Sequence, residues 1–166
     1  MLIAVTASGN TPYALAGVKY AASLGAETVG LCCNVNNKIK TLVKTCITID
    51  VGDEILLGST RLKAGTAQKM VLNMISSCTM MKMGKTYRNL MVDVRPINLK
   101  LQQRVISIIR TITGVDEATA KAAFEQAEGN TKVAVVMLKK QLGFTQAVAL
   151  LRMHGGFLSK ALGDDL

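Results

Sequence analysis

The sequence predicts an α/β fold in its first part and a small helical bundle in its second. Residues 2–7 (LIAVTA) and 28–33 (TVGLCC) are short apolar runs rich in β-forming residues, a pattern typical of strands buried on both faces. A helical pattern separates them, and such a strand–helix–strand unit implies parallel strands. From Asn98 onward only helical patterns occur. We therefore expect an α/β domain over residues 1–97 and a helical domain over residues 98–166.

The composition excludes several classes of protein. Of the 166 residues, 49% are hydrophobic and 19% are charged, whereas disordered chains have low hydrophobicity and many charges. Because no apolar run reaches about 18 residues, we expect no membrane partner. Aromatic residues make up only 4%, with no Trp, which argues against base-stacking surfaces. We therefore expect no nucleic-acid partner. The net charge of +9 is the one feature that keeps a basic nucleic-acid binder as an alternative.

The first helix has clear start and end signals. Thr11 is a good N-cap residue, and Pro12 sits at the first helical position, where its missing N–H costs nothing. Gly25 is suited to follow the end of the helix. Residues 46–50 (CITID) predict a third strand, so the sheet should have three parallel strands with flanking helices.

A long helix is predicted next. Ser59 can cap a helix over residues 60–83 that ends at Gly84. Residues 87–97 contain Pro96 and are expected to run over the domain surface as a connection. The methionines of this helix predict adaptable core or interface packing: Met70, Met74, Met80, Met81 and Met83.

The C-terminal part contains four helical segments. They are predicted at residues 98–113, 115–128, 131–142 and 145–153. His154-Gly155-Gly156 ends the last of them, and His154 is interpreted as a helix cap or as a residue of a neighbouring subunit's site. Residues 113–138 resemble a small helical bundle of the ubiquitin-associated type, which indicates a packing module.

The loop after the first strand is the candidate ligand site. Ser8, Gly9, Asn10 and Thr11 lie at the carboxyl end of a buried strand and lead into a helix, where α/β sheets bind ligands. The N–H groups of a first helical turn are unpaired, and the helix dipole is positive there. Gly9 permits close backbone approach, and the two hydroxyls add donors. The pattern predicts a phosphate site, although an ordinary capped turn has the same sequence.

Metal or cofactor chemistry is not expected. The four cysteines lack metal-ligand spacing, and Cys32 and Cys33 are adjacent on a strand, so they face opposite sides. We interpret the four cysteines as reduced, inert thiols. Since no metal-ligand spacing occurs, we expect no cofactor. The opening residues lack the basic segment and cleavage site of a signal peptide, so we expect a cytoplasmic protein.

Four segments resemble a known family. Residues 7–34 (ASGNTPYALAGVKYAASLGAETVGLCCN) resemble the second half of a sugar isomerase (SIS) domain, whose SGxT loop holds the phosphate of a phosphosugar. Residues 58–77 (GSTRLKAGTAQKMVLNMISS) and 83–94 (MGKTYRNLMVDV) are similar to the signature of N-acetylmuramic acid 6-phosphate etherases and the related glucokinase regulatory protein. Residues 154–162 (HGGFLSKAL) fit the etherase pattern as well, so the resemblance covers essentially the whole chain.

The resemblance implies a substrate and a reaction. The family cleaves the D-lactyl ether of a phosphorylated amino sugar, N-acetylmuramic acid 6-phosphate, by elimination and then hydration. It needs no metal and acts in cell-wall sugar recycling in the cytoplasm. The resemblance assigns phosphosugar binding to six residues: Ser8, Gly9, Asn10, Thr11, Ser59 and Lys63. Lys63 is favoured over Lys69, which lies six positions on and therefore on a different stripe of the helix.

The sequence also departs from the family pattern. Family members carry an upstream stretch with two sheet strands, a Gly-rich loop and two acid/base glutamates, and no counterpart occurs here. A buried strand that starts at residue 2 leads us to expect a cut within the domain. The catalytic residues stay unknown, and Glu54 is the one candidate, with capping or pairing to a base such as Arg61 as its alternative.

Three functional interpretations remain open. The chain is a truncated etherase, a non-catalytic phosphosugar-binding or regulatory module, or a nucleic-acid binder. Because the strand at residues 2–7 would lose its neighbour, its edge should be exposed. We therefore expect a homo-oligomer, such as a homodimer, or association with a missing N-terminal portion.

Overall fold

The computed structural model describes residues 1–164. Contacts between Cα atoms divide the chain into two compact units, one over Met1–Ser76 and the other from Ser77 onward. We call these the α/β unit and the helical unit. The division precedes the expected domain boundary after residue 97, because residues between Gly84 and residue 97 pack into the core of the helical unit.

The α/β unit contains the predicted three-stranded parallel sheet. Its strands are β1 (Leu2–Val5), β2 (Thr28–Cys32) and β3 (Thr45–Thr48), and their order in the sheet is β1-β2-β3. The register pairs residue 2 with residue 28 and residue 29 with residue 45. β2 is therefore central, and β1 has a strand partner on one side only within residues 1–164.

One helix and a short 3₁₀ helix pack on this sheet. α1 spans Pro12–Ser23, as predicted from its start and end signals. Thr11 holds the N-cap position, but its side chain makes no capping hydrogen bond. The 3₁₀ helix at Ile39–Thr41, which the sequence analysis missed, buries Ile39 completely. The buried core cluster of the unit is small: Ala4, Val18, Cys32 and Ile39.

The long helix α2 spans Lys63–Lys82 and begins three residues later than predicted. Residues 59–62 form a turn instead, and the side chain of Ser59 makes no capping hydrogen bond. Ala64 is the one buried residue of α2. Of the two predicted roles of these methionines, core packing is therefore wrong and interface packing stays a prediction, because all five are exposed: Met70, Met74, Met80, Met81 and, just after the helix, Met83.

The helical unit begins with the last residues of α2, and a hairpin follows that the sequence analysis treated as a surface connection. β4 (Thr86–Tyr87) and β5 (Leu90–Met91) pair antiparallel. Tyr87 is only 4% exposed and Val92 only 1%. The connection is therefore part of the core.

Five helices complete the helical unit, and the last was not predicted. They are α3 (Leu99–Thr113), α4 (Glu117–Gln126), α5 (Thr131–Lys140), α6 (Phe144–Met153) and α7 (Leu158–Leu162). Asn98, Asp116 and Asn130 cap α3, α4 and α5, each accepting a hydrogen bond from the backbone N–H three residues on. The bonds from Thr119, backbone first, hold the pKa of Asp116 below its usual value.

The helical unit encloses the larger core. Seventeen of its described residues are buried in one cluster, against four in the α/β unit, so the two units differ sharply in burial. Within residues 1–164 no single helix is long and apolar enough to cross a membrane. The pair of α5 and α6 passes that length-and-composition test together, with a bend of 105° between them.

Candidate functional site

The loop of residues 8–11 leaves the carboxyl end of β1 and enters α1, as predicted. Ala7 accepts a hydrogen bond from the Cys33 N–H at 2.8 Å, which holds the start of the loop beside the end of β2. The Thr6 and Thr11 hydroxyls are 2.9 Å apart and share a hydrogen bond. The Ser8 Oγ accepts from the Asn10 N–H at 3.1 Å. The loop is therefore fixed by its own side chains at both ends.

Gly9 is required by packing. Its φ is +68°, in the left-handed region that glycine favours. A Cβ at this position would lie 2.4 Å from the Cβ of Asn37, closer than two non-bonded carbon atoms can approach. The Gly9 carbonyl also accepts from the Ile39 N–H at 3.0 Å. The backbone segment that comes close to Gly9 is therefore the neighbouring loop of residues 34–38.

The Asn10 side chain ties the two loops together. Its Oδ1 accepts from the Lys38 N–H at 2.9 Å, and its Nδ2 donates to the Asn36 carbonyl at 3.4 Å. The amide therefore has partners at both ends. In this structure Asn10 positions the loop.

Several backbone donors of the loop are unpaired. Within residues 1–164 no acceptor lies on the N–H groups of Ser8, Gly9, Thr11, Tyr13 or Ala14. The last two belong to the first turn of α1, where the helix dipole adds positive potential. An anion at this position would satisfy donors that now have no protein partner.

Two adjoining hollows lie at the carboxyl edge of the sheet. The larger is a cleft of about 350 Å³ lined by Ser8, Cys33, Asn34 and the segment from Asp50 to Glu54. The smaller, of about 230 Å³, is lined by Thr6, Thr11 and Tyr13 among others. Ala7, Ser8 and Thr60 line both hollows. The Ser8 and Thr60 side chains therefore stand where the two hollows meet.

Glu54 caps helix α2. Its two carboxylate oxygens accept from the backbone N–H groups of Lys63 at 2.9 Å and Ala64 at 3.0 Å. These two bonds, the one from Ala64 first, lower the pKa of the Glu54 carboxyl below its usual value. The capping alternative is thus confirmed, and a proton-transfer role for Glu54 stays a prediction.

The remaining predicted residues lie at the start of α2. Ser59 lines neither hollow. The Lys63 ammonium lies 3.9 Å from the position that a Cβ on Gly52 would occupy, which places it beside the loop that lines the cleft. Arg61 forms no ion pair with Glu54 within the described chain.

Sequence reasoning missed Thr60 and Asn34 as lining residues. Thr60 directly follows Ser59 in the GSTR segment, so the sequence offered a second hydroxyl beside the one that was nominated. Asn34 directly follows β2, and residues just past a parallel strand lie at the ligand-binding edge. Both signals depend on strand order, which the sequence alone left open.

The two thiols near the site, Cys32 and Cys33, have raised pKa values. Burial raises the pKa of the Cys33 thiol, whose Sγ donates to the Ala64 carbonyl at 3.7 Å. Burial also raises the pKa of the Cys32 thiol, although its bond to Thr48 opposes this. In the described part of the chain no cluster of three His, Cys, Asp or Glu residues is arranged to hold a metal ion.

Comparison with known proteins defines the class first. Residues 1–77 match the family model of the SIS domain. This match covers the parallel sheet, the loop of residues 8–11, the cleft and the greater part of α2. The whole α/β unit therefore lies within the stretch that is similar to the SIS domain.

The particular relatives are etherases. The chain is 51% identical to N-acetylmuramic acid 6-phosphate etherase of Oenococcus oeni over 164 residues, which is 99% of this chain and 55% of that protein. Proteins of the same name from a Geobacillus species and from Bacillus anthracis are 47% and 48% identical over 97% of the chain. The predicted resemblance to the etherase family is therefore confirmed. The chain spans about half the length of these curated relatives.

Proposed function

We propose that this chain is the part of an N-acetylmuramic acid 6-phosphate etherase that holds the phosphate of the amino sugar. The names of its relatives support this substrate. The observation that carries the proposal is the set of unpaired N–H groups in the loop of residues 8–11 and the first turn of α1. They lie at the carboxyl edge of a parallel sheet, the usual position of ligands in this architecture.

Each predicted residue has a proposed task at this site. Phosphate oxygens accept from the N–H groups of Ser8 and Gly9 and from the hydroxyl of Thr11. Asn10 positions these donors through its bonds to residues 36 and 38. Lys63 supplies a positive charge from the start of α2. Ser59 contributes through the turn that leads into that helix.

The acid and base of the reaction are proposed to come from another part of the protein. Elimination needs a base to take a proton and an acid to protonate the leaving oxygen. Glu54 is a weak candidate for either task, because both of its oxygens accept backbone bonds and its lowered pKa keeps it ionised. A non-catalytic phosphosugar-binding module is the second candidate function, favoured because Glu54, the one nominated carboxylate, already caps α2.

We also propose that the α/β unit is completed by a further chain or segment. Within residues 1–164 β1 has no strand on its outer side, and Met70 and Met74, the α2 methionines of this unit, are exposed. A second copy or an N-terminal portion would cover both surfaces. The cytoplasm and cell-wall sugar recycling are the proposed setting, and the helical unit is proposed as a packing module of the ubiquitin-associated type.

The test is to measure D-lactate release and binding together. The purified chain is given N-acetylmuramic acid 6-phosphate, and binding is followed by calorimetry. We expect binding without release. Thr11→Ala removes the one side-chain donor assigned to the phosphate and should weaken binding roughly tenfold, the scale of one charge-assisted hydrogen bond. Ser23→Ala is the matched control, because that hydroxyl donates only to the Tyr20 carbonyl at the far end of α1.

The outcomes separate the interpretations. Release at enzymatic rates would show that the acid and base lie within these residues, and Glu54→Gln would then be the next variant. Absence of binding would overturn the phosphate-site proposal. A monodisperse monomer in light scattering would contradict the proposal that a second copy completes the unit.

A further inference from the structure

The helical unit contains a cavity that the phosphosugar site does not involve. It has a volume of about 410 Å³ and lies between the β4–β5 hairpin, α3, α5 and the end of α7. Its polar lining consists of Tyr87, Arg88, Asn89, Thr111, Lys139 and Lys140, with Asp164 at one side. Three of these side chains are cationic and one is a carboxylate. The cavity therefore carries a net charge of about two positive units near neutral pH.

A carboxylate of the chain already lies against the donors of this cavity. Asp164, just after α7, accepts a hydrogen bond from the Tyr87 hydroxyl through Oδ2. The same oxygen lies 4.0 Å from the Arg88 guanidinium. Tyr87 is 4% exposed, so its hydroxyl is a donor fixed within the core. Burial raises the pKa of Tyr87, and the bond to Asp164 adds to this, so the hydroxyl stays protonated.

The backbone holds Arg88 in an unusual conformation at this position. Its φ is +53°, in the left-handed region that residues other than glycine seldom adopt. Its guanidinium stacks 5.3 Å from the centre of the Tyr87 ring. The hairpin turn thus presents a guanidinium and a phenol together to one anion.

We propose that this cavity binds a phosphate monoester, which takes the place of the Asp164 carboxylate. A phosphate monoester carries close to two negative charges near neutral pH, whereas a single carboxylate carries one, so the monoester balances the three cationic side chains of the lining more fully than Asp164 does. Its oxygens accept two parallel bonds from a guanidinium. The volume accommodates a sugar-sized group beside the phosphate. Asp164 then acts as a competing internal anion, which keeps the buried Tyr87 donor paired when no ligand is bound.

The first test maps binding by residue. The full chain is titrated with inorganic phosphate and with glycerol 3-phosphate while backbone amide NMR signals are followed. We expect shifts at Arg88, Asn89 and Thr111, separate from any shifts at residues 8–11. Arg88→Gln should remove the shifts around the hairpin and leave those at residues 8–11. Failure of this proposal is therefore distinguishable from failure of the proposed function. The Arg88 side chain is 67% exposed, so the variant should fold normally.

The second test asks whether Asp164 competes with the ligand. Asp164→Asn keeps an acceptor for the Tyr87 hydroxyl but removes the charge, and it should raise the affinity for phosphate about threefold or more. Glu125→Gln is the matched control, because it removes one exposed negative charge of the same unit, and Glu125 forms no ion pair within residues 1–164. Equal gains in both variants would show a general charge effect and overturn the competition. No hairpin shifts at millimolar phosphate, in the wild type or in Asp164→Asn, would overturn the site.

Discussion

The α/β unit and the helical unit differ in how completely each one covers its own core. The helical unit buries seventeen of the described residues in one cluster, whereas the α/β unit buries four in its cluster. On the α/β side, α1 leaves Tyr13 89% and Tyr20 69% exposed. The unit that carries the candidate phosphate site is therefore the less enclosed one.

The contrast teaches that the two units depend on different interactions. Apolar burial supplies most of the stability of a domain. The helical unit has this burial, and three of its helices, α3, α4 and α5, begin at a side-chain cap. The α/β unit relies more on backbone bonds between its loops, and this supports the proposal that further chain completes it.

The largest expected effect is the loss of a core side chain from the helical unit. Ile109 is fully buried in α3, so Ile109→Ala should lower the free energy of unfolding by about 2–5 kcal/mol. Chemical denaturation followed by circular dichroism measures this. Ile97→Ala is the control, because Ile97 is 83% exposed and its loss should change little. Equal effects of the two variants would contradict a well-packed helical core.

A smaller effect is expected from the charge network of the same unit. Lys132 is only 12% exposed and lies 3.6 Å from the Asp93 carboxylate, which also pairs with Lys85. Asp93→Asn would leave Lys132 without its counter-charge, at a cost of about 1–3 kcal/mol. Glu117→Gln is the matched control, because Glu117 is 61% exposed and its ion pairs should contribute little.

The pH dependence of that network has a definite sign. Burial opposes ionisation of Asp93, but the Lys85 bond and the Lys132 charge outweigh it, so its pKa is lowered in the folded state. Its contribution is therefore complete above the unfolded pKa of about 3.9 and is lost as the pH falls below it. Denaturation at several pH values should show this loss in the wild type, and a flatter profile in Asp93→Asn would confirm its source.

The smallest effect is expected in the α/β unit and is local. Glu54→Ala removes both acceptors from the first amides of α2, so the N–H groups of Lys63 and Ala64 should exchange with solvent faster. Glu54→Gln keeps one acceptor and should have a partial effect. Glu27→Ala is the control, because the recorded side-chain partner of Glu27 is the exposed Lys44. Unchanged exchange in Glu54→Ala would show that the cap is not significant in solution.

The sequence predicted those parts of the fold that local patterns determine. Apolar runs identified β1 and β2, and Thr11-Pro12 located the start of α1. The start of α2 was misplaced because its cap is Glu54, nine residues before Lys63, and a cap supplied from that distance has no local pattern. The hairpin was missed because strands of two residues are too short to show alternation.

The candidate site was predictable in position but not in detail. The strand–loop–helix pattern located residues 8–11, and the comparisons support an SIS domain there. The tasks of Gly9 and Asn10 depend on contacts with Asn37 and Lys38, which lie 28 positions along the chain. Only the folded chain brings those residues together, so no spacing rule could assign the tasks.

The strand order has a consequence for how the sheet assembles. Both ladders join strands that are consecutive in the chain, with paired residues 26 positions apart for Leu2 and Thr28 and 16 apart for Val29 and Thr45. The entropy of closing a loop rises slowly with its length, so these two closures differ by only about 0.4 kcal/mol. Neither pairing therefore has a strong kinetic advantage from chain connectivity. Each connection also carries one fully buried residue, Val18 of α1 in the first and Ile39 of the 3₁₀ helix in the second, so chain connectivity and burial favour the two ladders about equally.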